Sequence, residues 1–229
     1  METSKIHIII DAGHGGNDPR TGEYLTRKDW GKFYKFLQAD NRTLDFEVRE
    51  GVTNRLIADK LAKKLELAGI EYSKIYHPHN DTPLATLAQT ANKIHFEKSK
   101  QGKKCVLLSF HSNAAGNNSQ GQGAAARGVS FWTTKGMTTS DGVAEIWFQE
   151  HQKECGNIIS YRTEMSDGDR DYEEDFYILY CTSMPAVLIE NLFFDNKLDA
   201  QILLTDSYQN KSAQAAFNMI QRIAKENVL

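Results

Sequence analysis

The chain has 229 residues, 40% of them hydrophobic and 25% charged, a globular balance that excludes a disordered or fibrous polymer. Its formal net charge of −3 offers no basic field for nucleic acid or for an anionic membrane surface. No apolar run approaches the roughly 20 residues of a membrane span, and the first ten residues lack a signal-peptide core and cleavage site, so neither a membrane segment nor a secretion address is expected.

Lys5 to Ile10 reads as a buried, isoleucine-rich strand that ends in the glycine-dense run Asp11 to Gly16. From Asn17 to Arg49 no clear periodicity emerges. The stretch is expected to be a long loop with a hairpin at most, its Trp30, Phe33, Tyr34 and Phe36 forming a satellite core or lining a groove. Val52, Leu56, Ile57, Leu61 and Leu65 recur at helical spacing and predict a helix over Gly51 to Ala68, stopped by Gly69. A strand follows over Ile70 to Tyr76. Asp81-Thr82-Pro83 then reads as a helix start, with Asp81 or Thr82 as cap and Pro83 in the first turn. Cys105 to Phe110 is a second apolar strand, ending in His111, and Ala114 to Gly128 a glycine-rich loop. Val129 to Trp132 is a strand and Ser140 to Cys155 a helix. Ser166 to Asp175 is an acidic loop, Phe176 to Leu179 and Ala186 to Ile189 are strands, and the chain beyond Asn196 is helical. Strands alternating with helices, with neither repeats nor linkers, imply one three-layer α/β domain over residues 1–229. Its sheet is expected to be mostly parallel or mixed, twisted and flanked by helices. Cys105, Cys155 and Cys181 are odd in number and widely spaced, which suits reduced, buried thiols rather than a disulfide frame.

The chemistry-bearing residues cluster at strand ends. His14, His111 and Glu190 each follow a buried apolar strand, and reactive groups of α/β sheets gather at the carboxyl ends of strands. Glu50 stands at a helix start, where the dipole favours a carboxylate. Two histidines and one glutamate complete a catalytic zinc set and leave one position open; a second glutamate can then serve as general base.

Four blocks carry a family resemblance. D-A-G-H-G-G (Asp11 to Gly16), S-F-H-S-N-A (Ser109 to Ala114) and P-A-V-L-I-E-N-L-F-F-D-N (Pro185 to Asn196) resemble the signature blocks of the family 3 N-acetylmuramoyl-L-alanine amidases. E-G-V-T-N-R-L-I-A-D-K-L, from Glu50, resembles the block with that family's glutamate ligand. The resemblance implies a mixed sheet flanked by helices, zinc ligands at His14, Glu50 and His111, a catalytic glutamate at Glu190 and peptidoglycan as substrate. A monomer acting at the bacterial wall is expected, and because no wall-binding domain, lysin-type repeat or basic tail is recognisable, a separate wall-binding domain is not expected. The long segment between His14 and Glu50 departs from typical members and leaves Glu47 and Asp45 as competing ligands. That segment, N-L-F after Glu190 and R-T-E-M-S-D-G-D (Arg162 to Asp169) are similar to phage endolysins of the family, which wait in the host cytoplasm for release.

Two other readings stand beside this one. A zinc carboxypeptidase shares the chemistry, but the His-x-x-Glu spacing is missing after His14. A catalytically inactive wall-binding module is the second, although all four family positions are filled. Among the remaining features, His77-Pro78-His79 reads as a turn, His7 as a core or edge residue, and His95 and His151 as helix residues without companions. Asp167-Gly168-Asp169-Arg170-Asp171 reads as a solvated turn, since it lacks the bidentate glutamate of a calcium loop. Arg162 is a candidate for a stem-peptide carboxylate. Asn113 and Asn191 are candidates for orienting His111 and Glu190.

Overall fold

The computed structural model describes residues 2–38, 42–116 and 123–229; part of the predicted loop Ala114 to Gly128 therefore lies outside the described residues. The first strand, β1 (Ile6–Ala12), opens a six-stranded sheet. A two-stranded hairpin follows, β2 (Phe33–Leu37) and β3 (Leu44–Arg49), and β3 runs without a break into helix α1 (Glu50–Leu67). Next come β4 (Tyr72–Lys74), α2 (Leu84–Lys100), β5 (Lys104–Asn113), β6 (Ser130–Thr133) and α3 (Thr139–Cys155). The chain ends with β7 (Tyr172–Glu173), α4 (Tyr177–Tyr180), β8 (Ala186–Phe193), α5 (Lys197–Leu203) and α6 (Asp206–Glu226).

Strand order is β4-β1-β5-β8-β6-β7. The β4–β1, β1–β5, β5–β8 and β6–β7 pairs are parallel and β6–β8 is antiparallel, giving the mixed sheet that was expected. Side chains alternate across a strand, and β1 divides its isoleucines accordingly. Ile6, Ile8 and Ile10 join the core under α1, α3 and α6, while Ile9 joins Leu107 and Leu188 beneath α2 and α4. Helices therefore cover both faces, and the strands between them carry no polar face to water, which is why they read as continuous apolar runs. Trp147, fully buried on α3, meets Phe110 and Phe131 edge-on with ring centroids 5.5 and 5.4 Å away and joins that helix to β5 and β6. Among the described residues no helix is long and apolar enough to cross a membrane.

Several expectations need correction. Phe176 to Leu179 does not form a strand: Tyr177–Tyr180 is a helical turn, with the Tyr180 amide donating to the Phe176 carbonyl at 2.9 Å. Ile178 and Leu179 bury against α2 from that turn, and a four-residue apolar run suits either geometry. Neither Asp81 nor Thr82 caps α2. Pro83 occupies the cap position and its carbonyl accepts from the Thr86 and Leu87 amides, while Thr82 Oγ1 accepts from the His77 amide. The segment before Arg49 does hold a hairpin, in which Phe36 is buried between Tyr34 and Phe46, whereas Trp30 is 49% exposed. The turn 167–171 is not wholly solvated, because Asp171 is only 2% exposed. The cysteines are free; Cys105 and Cys155 are buried and Cys181 half-buried.

His151 has companions after all. On α3 it is fully buried, 2.8 Å from the Tyr161 hydroxyl and 3.3 Å from Ser212 Oγ on α6. Burial holds its pKa down at about 3. The unfolded chain takes up a proton below about pH 6.5 that the folded chain refuses. This contribution is therefore complete above that pH and lost as pH falls toward 3, by up to ~1.4 kcal/mol per pH unit. Urea titrations between pH 7 and 4.5 are expected to show a shallower acid slope for His151→Asn than for the parent chain.

Candidate metal centre

β1, β5 and β8 are parallel neighbours, so their carboxyl ends share one edge of the sheet. His14 lies two residues beyond β1. His111 and Glu190 sit within β5 and β8 rather than past their ends, and they are register partners, so their side chains rise side by side on one face. The strand pairing becomes irregular immediately afterwards, where Leu192 is fully buried with φ 64°.

His14 Nε2 lies 3.4 Å from Glu50 Oε2, and His111 Nδ1 lies 3.2 Å from Glu50 Oε1. One donor atom from each of the three residues falls within 4.8 Å of the others. The imidazole planes stand at 88° with centroids 5.5 Å apart. Glu50 is 1% exposed, and its Oε2 has no hydrogen-bond partner. A buried carboxylate that reaches one imidazole with each oxygen, and leaves one of those oxygens without a hydrogen bond, is the arrangement a divalent ion of borderline softness completes, and the set of two nitrogens and one oxygen fits zinc.

The competing carboxylates are committed elsewhere. Glu47 pairs with Arg49 at 2.5 Å and Lys35 at 3.5 Å, and Asp45 with Lys197 at 2.9 Å. Glu50 is held by its surroundings: its amide donates to the Lys32 carbonyl, and the Tyr24 hydroxyl spans the Gly51 amide and that same carbonyl. Its Oε1 also accepts from the Ser112 amide at 3.3 Å. Asn54, one turn along α1, donates to the Gly13 carbonyl and accepts from Ser112 Oγ, which ties the His14 loop and the end of β5 to the helix.

Gly13 of the first motif and Gly51 of α1 are required by close approach. A Cβ on Gly13 would lie 1.9 Å from the His111 ring, and one on Gly51 would lie 2.0 Å from the Gly15 carbonyl oxygen. Gly13→Ala is accordingly expected to destabilise the fold by about 1–3 kcal/mol and to lower bound metal, as measured by denaturant titration and metal analysis. His14 itself adopts φ 63°, a left-handed conformation uncommon outside glycine and asparagine.

Charge is tuned across the cluster. Burial is the main influence on His14 and brings it down to about 4, which keeps the ring neutral and able to ligate. Burial alone would raise Glu50; the His111 hydrogen bond and the charges of His14, His111 and Lys32 overcome it and hold Glu50 at about 2. Burial lifts Glu190 to about 7, with His111 opposing and Glu50 adding to the rise. Glu190 Oε2 has no partner of its own.

Sequence reasoning missed four residues here. Asp81 Oδ2 lies 3.9 Å from His14 Nδ1, the nitrogen facing away from Glu50. Lys32 Nζ lies 3.4 Å from Glu50 Oε2. Asp11 is buried against Ser109 Oγ at 2.6 Å, and Asn54 is described above. Only Asp11 and Asn54 stood inside recognised blocks; Asp81 and Lys32 come from loops with no periodic signal. Asn191 does act behind the centre, though on His111: its Nδ2 donates to the His111 carbonyl, and its Oδ1 accepts from Tyr208 and Ser212. Asn113 Oδ1 accepts from the Ala114 amide. Arg162 lies over the Phe193 ring, with 5.2 Å from Cζ to its centroid. The His77–His79 turn is structural, its carbonyls gripped by Arg55. A cavity of about 250 Å³ opens beside the cluster, lined by His14, His111, Trp30, Asp81, Leu84 and Leu87 among others.

Comparison with known proteins agrees with this architecture. Among solved structures, the N-acetylmuramoyl-L-alanine amidase from Clostridium difficile 630 superposes with a TM-score of 0.69 over 97% of this chain and 98% of its own, at 23% identity. The amidase AmiC2 of Nostoc punctiforme gives 0.68 over 96% and 98%, at 19% identity. In sequence, the uncharacterized protein YqiI of Bacillus subtilis strain 168 is 33% identical over 222 residues, 93% of this chain and 82% of its own. The endolysin of Bacillus phage SPP1 is 34% identical over 120 residues, 51% of this chain and 39% of that protein. Residues 8–222 match the Amidase_3 family, described as N-acetylmuramoyl-L-alanine amidase. The chain belongs to that family of peptidoglycan-hydrolysing enzymes.

Proposed function

We propose that the chain is a zinc-dependent amidase that hydrolyses the bond between the lactyl group of N-acetylmuramic acid and the L-alanine of the stem peptide. The observation that carries this reading is the convergence of His14, Glu50 and His111 donor atoms within 4.8 Å, with Glu190 in register beside His111. These three residues would hold the ion and Glu190 would move the proton. A zinc ion so held supplies Lewis-acid polarisation of the substrate carbonyl and brings the pKa of a bound water to about 7.

The side chains of the protein carry the remaining steps. Glu190 accepts a proton from the attacking water and returns it to the departing alanine nitrogen, as a carboxylate poised near neutrality can in either direction. Asp81, facing His14 Nδ1, favours the tautomer that leaves Nε2 free on the Glu50 side. Asn191, tied to α6, steadies the His111 backbone. Trp30, Leu84 and Leu87 give the adjoining cavity apolar walls against which the substrate can exclude water. In this reading residues 1–229 act as one catalytic unit, as a monomer, on the bacterial cell wall. The similarity to an endolysin supports a lytic role there.

The test is the chemistry of the product. Purified peptidoglycan is digested and new amino termini are labelled. Free L-alanine amines are the expected result. New carboxyl-terminal amino acids would instead mark a carboxypeptidase, and intact wall a binding module; either would overturn the proposal.

A further inference from the structure

Trp30 stands apart from the other aromatic residues of its segment. Phe36 is buried between Tyr34 and Phe46, whereas Trp30 keeps about half its surface in solvent. Its backbone is nevertheless anchored. It closes a short helical turn, Lys28–Trp30, in which the Trp30 amide donates to the Arg27 carbonyl and the Gly31 amide to the Lys28 carbonyl. Two residues on, the Lys32 carbonyl accepts from the Glu50 amide and from the Tyr24 hydroxyl. Arg27, paired with Asp29, lies over the indole with Cζ 5.4 Å from the ring centroid. Trp30 lines the cavity that also holds His14 and His111, together with Leu84 of α2, itself 52% exposed. Single exposed apolar side chains need no explanation, but two from different elements at the mouth of one cavity mark a binding surface.

Three observations choose its occupant. At about 250 Å³ the cavity is smaller than the roughly 300–1,000 Å³ of sites for drug-sized molecules, so it takes a group of ring size and not a peptide. Among the described residues its lining carries Asp11 and Asp81 and no lysine or arginine, because Lys32 directs its ammonium to Glu50. That charge suits a neutral group and disfavours the carboxylates of a stem peptide. The third observation is position. Sheet order β1-β5-β8 puts Glu190 on one side of His111 and the His14 loop on the other. Glu190 returns its proton to the alanine nitrogen, so the peptide departs on the β8 side. The cavity is lined by His14 and His111 and not by Glu190, and it therefore lies on the acyl side, which carries the sugar.

Resting on the amidase reading above, we propose that Trp30 is a specificity-determining residue that stacks on the pyranose ring of the N-acetylmuramic acid whose lactyl amide is cleaved. The C–H groups of a pyranose face are apolar, and an indole plane covers them with release of water. Because the backbone of Trp30 is already fixed, little ordering is left to be done on binding.

The experiment uses the full chain and N-acetylmuramoyl tripeptide, either with its ring closed or after borohydride reduction, which opens the pyranose and leaves the lactyl amide intact. The parent is expected to show a KM about tenfold lower for the closed ring, with kcat changed less than about twofold. Trp30→Ala should abolish that preference by raising KM for the closed ring alone, and Trp30→Phe should restore part of it. A merely structural role would shift both substrates together. Binding is read separately in Glu190→Gln by tryptophan fluorescence. Trp147 is fully buried and Trp132 is stacked on Tyr172, and neither lines the cavity, so the signal lost in a further Trp30→Phe change belongs to Trp30. Muramoyl tripeptide should quench that signal and the free tripeptide should not. The proposal is overturned if Trp30→Ala keeps the closed-ring preference, or if the free tripeptide quenches as strongly as the muramoyl form. A parent chain that leaves the lactyl amide intact would sink the amidase reading alone, and the fluorescence comparison would still decide between sugar and peptide at Trp30.

Discussion

Glu190→Gln is expected to reduce turnover on purified peptidoglycan by about 10²–10⁴-fold while leaving zinc content unchanged. Glutamine keeps the size of the side chain and removes its ability to take a proton. The nearest proposed ligand, His111, is a strand neighbour whose side-chain hydrogen bond goes to Glu50 and not to Glu190. Loss of a mobile proton with retention of metal separates a base from a ligand. The two readouts are release of L-alanine amines and zinc per chain by elemental analysis. Near-parental turnover in Glu190→Gln would sink the assigned role.

The opposite signature is expected at Glu50. Glu50→Ala should lose both bound zinc and activity, dropping from about one ion per chain toward none, as expected when one of three protein ligands is removed. It also leaves His14 and His111 facing each other at 5.5 Å without the carboxylate between them. Glu47→Ala and Asp45→Ala, whose carboxylates pair with Arg49 and Lys197, should retain the ion. Zinc retained by Glu50→Ala but lost by Glu47→Ala would reassign the ligand.

The sequence made the centre legible to different depths. His14, His111 and Glu190 were readable because parallel strands buried on both faces leave uninterrupted apolar runs, and a polar residue after such a run stands out. Where the strand ends was not readable. β8 continues to Phe193 because Glu190 pairs across to both His111 and Ser130, a tertiary fact with no local signature. Glu50 was readable as a helix start, but its freedom from competition depends on Arg49, Lys35 and Lys197 drawing away the rival carboxylates. Phe176 to Leu179 was misread because four apolar residues satisfy either period. Asp171 was misread because an acidic stretch looks solvated until the fold buries that carboxylate against Thr133. Asp81 and Lys32 reach the centre from loops, where spacing carries no information about direction.

The seam between β3 and α1 has a consequence for anyone wishing to shorten this protein. The extra hairpin resembles a removable ornament, yet its base donates the surface on which Glu50 rests: the Lys32 carbonyl takes up the Glu50 amide, and the Tyr24 hydroxyl bridges to Gly51. Pruning that reaches this base would unseat Glu50, the proposed metal ligand, without changing that residue itself. Minimised variants should therefore keep everything from Tyr24 to Phe33 and from Val48 onward, and graft any replacement ribbon between those two anchors.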